Sequence, residues 1–408
     1  MHRAADQSPD EAAPARAHAT LITCGATHAL HDGLGDALYL LLPIWQSSFG
    51  LSLAEIGLLK TSFSAALASV QVPAGIASER LGEPALLALG TAAMSLGFLL
   101  LGLADGFAPL ALAIGLMGAG AAVQHPLSSA LVAAAYGEAR RRLALGTYNF
   151  AGDLGKVAIP AALGLASVYV GWRSATMGLG AFGILGSAFL YAMLVRLRPG
   201  SRHDDRHAAP ARGGWGIRDA RGFAALSAIG VIDSMTRTGF LTLLPFFLVS
   251  RGAAIAEIGF ALALVFAGGA AGKFLCGAIA GRLGIVATVI LSEFLTSAAV
   301  LALLVVPDWA AMLLLPLVGV GLNGTSSVLY GTIADLVEPE RRARAFGLFY
   351  SIGIGAGALS PTVCGVIADR AGVPQTLALV ALMVLLTLPL SAFLRQTGRI
   401  QPSLPAAP

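Results

Sequence analysis

Charge is scarce in this chain. Only 12% of its 408 residues are Asp, Glu, Lys or Arg, against 56% hydrophobic residues, which leaves too little polar surface to cover a soluble globule of this size. With a mean hydropathy of +0.79, the solvent for most of the chain is lipid. Cysteine is scarcer still. Cys24, Cys276 and Cys364 are odd in number and all sit inside apolar stretches, which speaks against a disulfide framework and leaves them as small core residues. No Gly-Lys-Ser or Gly-Lys-Thr sequence occurs, so an ATP-driven pump is disfavoured. Ser, His and Asp form no nucleophilic constellation outside the apolar stretches. No catalytic residue, metal ligand or cofactor is therefore assigned, and the chain is read as a non-enzyme. Its basic residues make no one-sided stripe with interleaved aromatics, which argues against nucleic acid as a partner. Gly178-x-Gly180-x-x-Gly183 lies in the middle of an apolar run with no preceding strand and reads as helix packing through small residues.

What remains is a succession of apolar stretches, each about 20 residues or longer and so able to cross roughly 30 Å of hydrocarbon as a helix. Twelve are expected: 20–45, 53–78, 84–104, 109–135, 143–169, 174–195, 222–248, 254–280, 285–306, 310–335, 345–368 and 373–394. With the N-terminus in the cytoplasm, 19 Lys and Arg fall in cytoplasmic segments and three, Arg173, Arg251 and Arg370, on the other side. That asymmetry fixes the orientation and accounts for the formal charge of +4. Residues 1–18 and 396–408 are expected to be cytoplasmic tails, the first of them disordered. Residues 19–195 and 222–395 form two six-helix bundles, and 196–221 a polar cytoplasmic linker.

The two bundles repeat each other. Leu41-Leu42-Pro43 returns as Leu243-Leu244-Pro245, and Gly75, Arg80 and Gly82 return as Gly277, Arg282 and Gly284, all at an offset of 202. After one deleted position, Gly152, Pro160 and Gly164 return as Gly353, Pro361 and Gly365. Two homologous apolar halves joined by a polar linker are the signature of a secondary transporter with its site at the repeat interface.

Charge inside a span is costly and faces a cavity or a partner. Spans one, two, four, five, seven and eight hold His28, His31, Asp32, Asp36, Lys60, His125, Asp153, Lys156, Asp233, Arg237 and Lys273, whereas three, six and twelve hold none. Glu293 in span nine breaks the pattern and is read as structural or partly interfacial. Helical rise puts Asp32, His125 and Asp153 near the midplane, about 16–18 Å deep. His28, Asp32 and Asp36 follow at four-residue spacing on one face of span one, and Asn149, Asp153 and Lys156 form a comparable stripe on span five. For Asp36, Lys60, Asp153 and Lys156 two readings stand side by side, structural ion pairing and substrate contact. Asp36 is level with Lys60. No permanent cation is expected level with Asp32, which singles out Asp32, His28 and His125 for proton handling, since imidazole titrates near neutrality. His31 reads equally as a satisfied core histidine. Gln124, Asn323, Asp233 and Arg237 complete the candidate substrate contacts.

Gly75-Ile76-Ala77-Ser78-Glu79-Arg80-Leu81-Gly82 resembles the cytoplasmic loop signature of the major facilitator superfamily, with Glu79 for the usual Asp. That resemblance implies an all-helical fold of twelve transmembrane helices in two pseudo-symmetric halves. Within the superfamily, residues 25–165 are similar to the fosmidomycin resistance group of exporters: Gly25-x-x-His28-x-x-x-Asp32, Pro43, Gln46, Ile56-Gly57, Phe63, Gln71, His125-Pro126-x-Ser128-Ser129 and Gly152, Gly155, Pro160. Leu127, Ala130, Asp153, Lys156 and Lys60 depart from the pattern of that group. They rewrite the charge map, so a phosphonate substrate is not carried over.

The expectation is a proton-coupled exporter of a small organic solute, embedded in the inner membrane and acting as a monomer by alternating access, with protons, solute and lipid as its only partners. Glu79, Arg80 and Arg282, with Gly75, Gly82, Gly277 and Gly284, would latch the cytoplasmic side. Proton-coupled uptake of an organic anion, and a non-transporting receptor or scaffold on the same fold, are the alternatives.

Overall fold

In the computed structural model, the described residues are 9–197, 216–338 and 342–397. Most of the 196–221 linker, Arg341, residues 1–8 and the last 11 residues of the chain lie outside them, as do the side chains of Glu79, Arg142 and Arg344. The described residues fold into thirteen α-helices, and their one β feature is an isolated antiparallel bridge between Ile217 and Val337. The protein is an all-α membrane protein.

The helices are α1 (Pro9–Phe49), α2 (Leu53–Leu81), α3 (Glu83–Leu101), α4 (Phe107–Ala121), α5 (Gln124–Ala135), α6 (Glu138–Leu197), α7 (Ala220–Ser250), α8 (Ile255–Leu283), α9 (Ile285–Val305), α10 (Asp308–Leu336), α11 (Arg342–Ala371), α12 (Val373–Val384) and α13 (Thr387–Thr397). Among the described residues nine helical stretches are long and apolar enough to cross a membrane, one of them running 55 residues from Leu143 to Leu197. That long stretch turns over at Gly171, whose φ of 76° breaks the helical run. α1 and α7 do not meet that measure of apolarity; α1 carries His28, His31, Asp32 and Asp36, and α7 carries Asp233 and Arg237.

Proline explains where the helix breaks inside two expected spans, which continue across the breaks as Phe107–Ala135 and Val373–Leu394. The first breaks between α4 and α5, the second between α12 and α13. A proline ring collides with the carbonyl four residues before it. For Pro126 that residue is Ala122 and for Pro389 it is Leu385, the C-cap residues of α4 and α12. The Thr387 hydroxyl donates to the carbonyl of Val384 at 2.6 Å, satisfying one group of the broken turn. One boundary moves the other way. Residues 9–18, expected to be disordered, continue α1 toward the N-terminus. The segment holds Ala12, Ala13, Ala15 and Ala17, and alanine extends a helix that the span has already nucleated.

Six of the seven positive-φ glycines among the described residues fall in repeat pairs, Gly50 and Gly252, Gly82 and Gly284, Gly171 and Gly372, and Gly216 stands outside them. Gly82 (φ 81°) and Gly284 (φ 82°) each end one helix and open the next. Their amides close the preceding helix on the carbonyls of Ser78 and Ala280. A side chain at either position would strain the left-handed backbone, so the repeated loop keeps its glycine.

The chain divides into two compact units, Met1–Leu51 with Leu58–Ala208 and Ala253–Ala263, and Ser52–Gly57 with Ala209–Gly252 and Leu264–Pro408. In the first, α1 packs chiefly on α6, and α3 on α6 and α4. In the second, α11 packs on α7 and α9 on α10. The α1 and α6 backbones approach closely through glycine: a Cβ on Gly155 would strike the Ala29 carbonyl, and one on Gly33 the Ile159 side chain and the carbonyl of Gly155.

Candidate functional site

Asp32 is the centre of the first unit's polar cluster. Three side chains surround its carboxylate. His28 Nε2 lies 3.3 Å from Oδ2, one helical turn away on α1. His125 Nε2, from the first turn of α5, lies 3.6 Å from Oδ1. Lys156 Nζ, from α6, lies 3.2 Å from Oδ2 and 3.9 Å from Asp153 Oδ1. The expectation that no permanent cation is level with Asp32 is therefore corrected. α6 sits against α1 through glycine, and the long lysine side chain reaches across to Asp32 as well as to Asp153 on its own helix. Gly152 makes this possible. A Cβ there would stand 2.7 Å from two atoms of the His28 ring and 2.9 Å from Asp32 Oδ2.

Hydrogen bonds fix the histidine tautomers. His28 Nδ1 is 2.9 Å from the backbone carbonyl of Tyr148, which can only accept, so Nδ1 carries the proton. In the neutral ring, Nε2 is then a lone pair facing an ionised oxygen at 3.3 Å. That contact is attractive only when a proton sits between the two. The His28 ring also stacks on Tyr148, with centroids 4.2 Å apart, and meets His125 edge-on at 4.9 Å. Tyr148 was not among the sequence candidates. It is 120 residues from His28 and contributes a backbone atom, so no spacing signals it. His31 points elsewhere: its Nε2 is 2.9 Å from the Thr91 hydroxyl.

Exposure grades across the cluster. The side chain of His28 is 3% exposed and that of Asp32 14%, but that of His125 is 57% exposed. His125 thus joins the partly buried carboxylate to the open side. Asp32, His125 and Lys156 border a cavity of about 150 Å³ lined also by His31, Asp36, Lys60, Gln124 and Phe63. The Lys60 ammonium lies 4.3 Å from the Tyr39 ring centroid and 4.9 Å from that of Phe63, and 3.4 Å from the Gly35 carbonyl. Asp36 is near enough to act on it electrostatically. Asn149 is exposed on α6 and does not line this cavity.

The second unit holds a smaller cavity, about 40 Å³, lined by Asp233, Ser234, Arg237, Ser326 and Tyr350 among others. Asn323 does not line it. Its amide donates to the Gly319 carbonyl at 3.4 Å and occupies the place a Cβ on Gly269 would take. Glu293, expected to be structural or partly interfacial, is 1% exposed, which removes the interfacial reading, and its Oε1 has no hydrogen-bond partner. It lies in reach of Thr325 and of the field of Asp233. Its depth follows from α9 packing on α10, which a count along one helix does not reveal. Arg80 and Arg282 are exposed near the ends of α2 and α8.

A family model described as Major Facilitator Superfamily matches residues 25–228 and 226–407. Among curated proteins, the fosmidomycin resistance protein of Escherichia coli (strain K12) is 31% identical over 129 residues, 32% of this chain and 32% of that protein. An uncharacterised MFS-type transporter of Bacillus subtilis (strain 168) is 26% identical over 377 residues, 90% of each chain. The chain thus spans about a third of the first relative's length and nine-tenths of the second's. Among solved structures, a bacterial homologue of the human lysosomal transporter Spinster superposes with a TM-score of 0.80 at 17% identity, covering 97% of this chain and 100% of that one. The peptide transporter POT superposes at 0.78 with 13% identity, covering 94% and 95%. Likeness at these identities shows the fold.

Proposed function

Because the chain belongs to the major facilitator superfamily, we propose that it is a proton-coupled exporter of a small organic solute, with Asp32 as the proton-carrying group. The observation that carries this reading is the contact of His28 and Asp32. The Tyr148 carbonyl holds the proton of His28 on Nδ1, so the 3.3 Å gap from Nε2 to Oδ2 is a place where one proton is shared. A coupling group must both gain and lose its charge during the cycle. Asp32 has a buried neighbour to share with and, in His125, a neighbour open to the cavity that relays the proton outward. Lys156 competes for the same oxygen. Protonation of Asp32 releases the ammonium toward Asp153 and changes the charge the solute meets, which is the differential interaction that coupling requires.

The rest of the assignment follows the superfamily's alternating access. Residues 19–195 and 222–395 act as the two moving bundles, with both termini on the cytoplasmic side of the inner membrane. Asp36, Lys60, Gln124 and His31 on the first bundle and Asp233 and Arg237 on the second contact the solute. The loops at Gly75, Glu79, Arg80 and Gly82 and at Gly277, Arg282 and Gly284 close the cytoplasmic side, and the protein works as a monomer.

The test is growth of a deletion strain against a panel of small toxic solutes, followed by counterflow of the hit in proteoliposomes. Export predicts hypersensitivity of the deletion strain and solute accumulation driven by an imposed pH gradient of antiport sign. Resistance of the deletion strain would reverse the direction to uptake, and absence of counterflow with every solute of the panel would remove transport.

A further inference from the structure

Three side chains of the first unit direct acceptor atoms at one another. One ring nitrogen of His28, one of His125 and one oxygen of Asp32 all lie within 4.8 Å of each other. His28 Nε2 stands 3.3 Å from Oδ2, and His125 Nε2 3.6 Å from Oδ1. The Tyr148 carbonyl, 2.9 Å from His28 Nδ1, commits that nitrogen as the donor and leaves Nε2 a lone pair. This lone pair is buried, has no hydrogen-bond partner and faces a carboxylate. Acceptors that face each other in this way call for a cation between them. A proton is one such cation, but the donor set is also that of a metal centre. A metal-bound imidazole characteristically donates its other N–H to a carbonyl or carboxylate, which fixes its tautomer and its plane. Tyr148 supplies that carbonyl to His28 and stacks on its ring, with centroids 4.2 Å apart.

We infer that His28, Asp32 and His125 bind a divalent transition metal ion of the zinc class. Two imidazoles and one carboxylate suit Zn²⁺, Co²⁺ and Ni²⁺, whereas Mg²⁺ and Ca²⁺ take oxygen ligands. Bonds of about 2.0–2.2 Å to a tetrahedral zinc ion put its ligand atoms roughly 3.3 Å apart. His28 and Asp32 already stand at that separation, and the His125 side chain, 57% exposed, can turn to close the remaining gap. The fourth position falls to water or solute from the cavity that Asp32 and His125 line. Lys156 is the competitor. Its ammonium is 3.2 Å from Asp32 Oδ2 and retires toward Asp153, 3.9 Å away, when the ion enters. The ion then occupies the place of the proton shared by His28 and Asp32, which stalls proton-coupled transport. That effect rests on the reading of Asp32 as proton carrier, and the binding itself does not.

The full chain, purified in detergent without a histidine tag, is titrated with Zn²⁺ by calorimetry and with Co²⁺ by visible absorption. Four-coordinate Co²⁺ with nitrogen ligands absorbs far more strongly than the hydrated ion. One ion per chain should bind with that spectrum, and excess Mg²⁺ should not displace it. His125→Gln removes a ligand at an exposed position, so its melting without metal should match the wild type. It should weaken binding at least about 10- to 100-fold, the range already seen for loss of a ligand's hydrogen-bond partner, and His28→Ala should do the same. Lys156→Gln should act oppositely and tighten binding on the order of tenfold, because it removes a cation beside the ion. No binding, the spectrum of the hydrated ion, binding unchanged in both histidine variants, or weaker binding in a folded Lys156→Gln chain each overturns the inference. Saturating Zn²⁺ should also stop pH-driven accumulation in proteoliposomes. Binding through these residues without inhibition sustains the metal site and refutes Asp32 as proton carrier. Proton-driven accumulation by a chain that binds no metal refutes the site and leaves the proton carrier standing.

Discussion

Replacing Asp32 by Asn removes a negative charge from a site where Lys156 Nζ is 3.2 Å and two imidazoles are within 3.6 Å. Two consequences should separate. The first is structural. Removing one partner of a fully buried pair costs about 3–5 kcal/mol, and an exposed pair contributes about 1 kcal/mol or less. Lys156 is 28% exposed and keeps Asp153 at 3.9 Å, so the loss belongs between these limits, about 1–3 kcal/mol. Asp32→Asn with Lys156→Gln removes both charges and should recover most of it. The second consequence is functional. A pH gradient of one unit is worth about 1.4 kcal/mol per proton, enough for at most about a tenfold solute gradient at one proton per solute. Neither Asp32→Asn nor the double variant carries an ionisable group at this position, so both should build no gradient in proteoliposomes while retaining energy-independent counterflow. Thermal melting and a pH-jump accumulation assay on the same preparations read the two effects. If the double variant regains proton-driven accumulation at near wild-type rate, Asp32 is only the structural partner of Lys156, and the coupling carboxylate is elsewhere, with Asp153 or Asp233 next in order.

Gly152→Ala should lower the melting temperature through overpacking of about 1–3 kcal/mol, because its Cβ would meet His28 and Asp32 at 2.7–2.9 Å. Gly155→Ala should cost more in the same melt, since its Cβ meets the Ala29 backbone, which cannot rotate away as a side chain can. Asp36→Lys with Lys60→Asp should restore expression and counterflow beyond either single reversal, each of which leaves like charges together in a low-dielectric wall; additive damage would refute the pairing. A single cysteine at position 201, in a background lacking Cys24, Cys276 and Cys364, should resist an impermeant reagent in intact cells, because 19 basic residues against three place the linker inside. Efficient labelling from outside would overturn the orientation.

Much of the fold is local and so was legible. Lipid demands continuous apolar runs, and the chain writes them in order. The positions of Gly82 and Gly284 announce the repeated turns because only glycine tolerates their φ of 81–82°. The breaks at Ala122 and Leu385 were less visible: Pro126 and Pro389 are in plain sight, but a proline in a span can either kink or interrupt it, and neighbouring helices decide which. The candidate site was legible as a list. His28, Asp32 and Asp36 share a face at four-residue spacing, and intramembrane charge is rare enough to single out its bearers.

What the sequence could not determine is which of those charges meet. Asp32 looked free of any permanent cation because depth along a helix is a one-dimensional measure, and Lys156 reaches it only after glycines at 33, 152 and 155 let α1 and α6 close on each other. The chemical state of the histidines is tertiary as well. The carbonyl of Tyr148 and the hydroxyl of Thr91, 120 and 60 residues away, set which ring nitrogen carries the proton. Helical periodicity fixes the face a residue occupies and hydropathy fixes its solvent, but the azimuth at which two helices pack decides which partner an imidazole meets and so which of its nitrogens carries the proton.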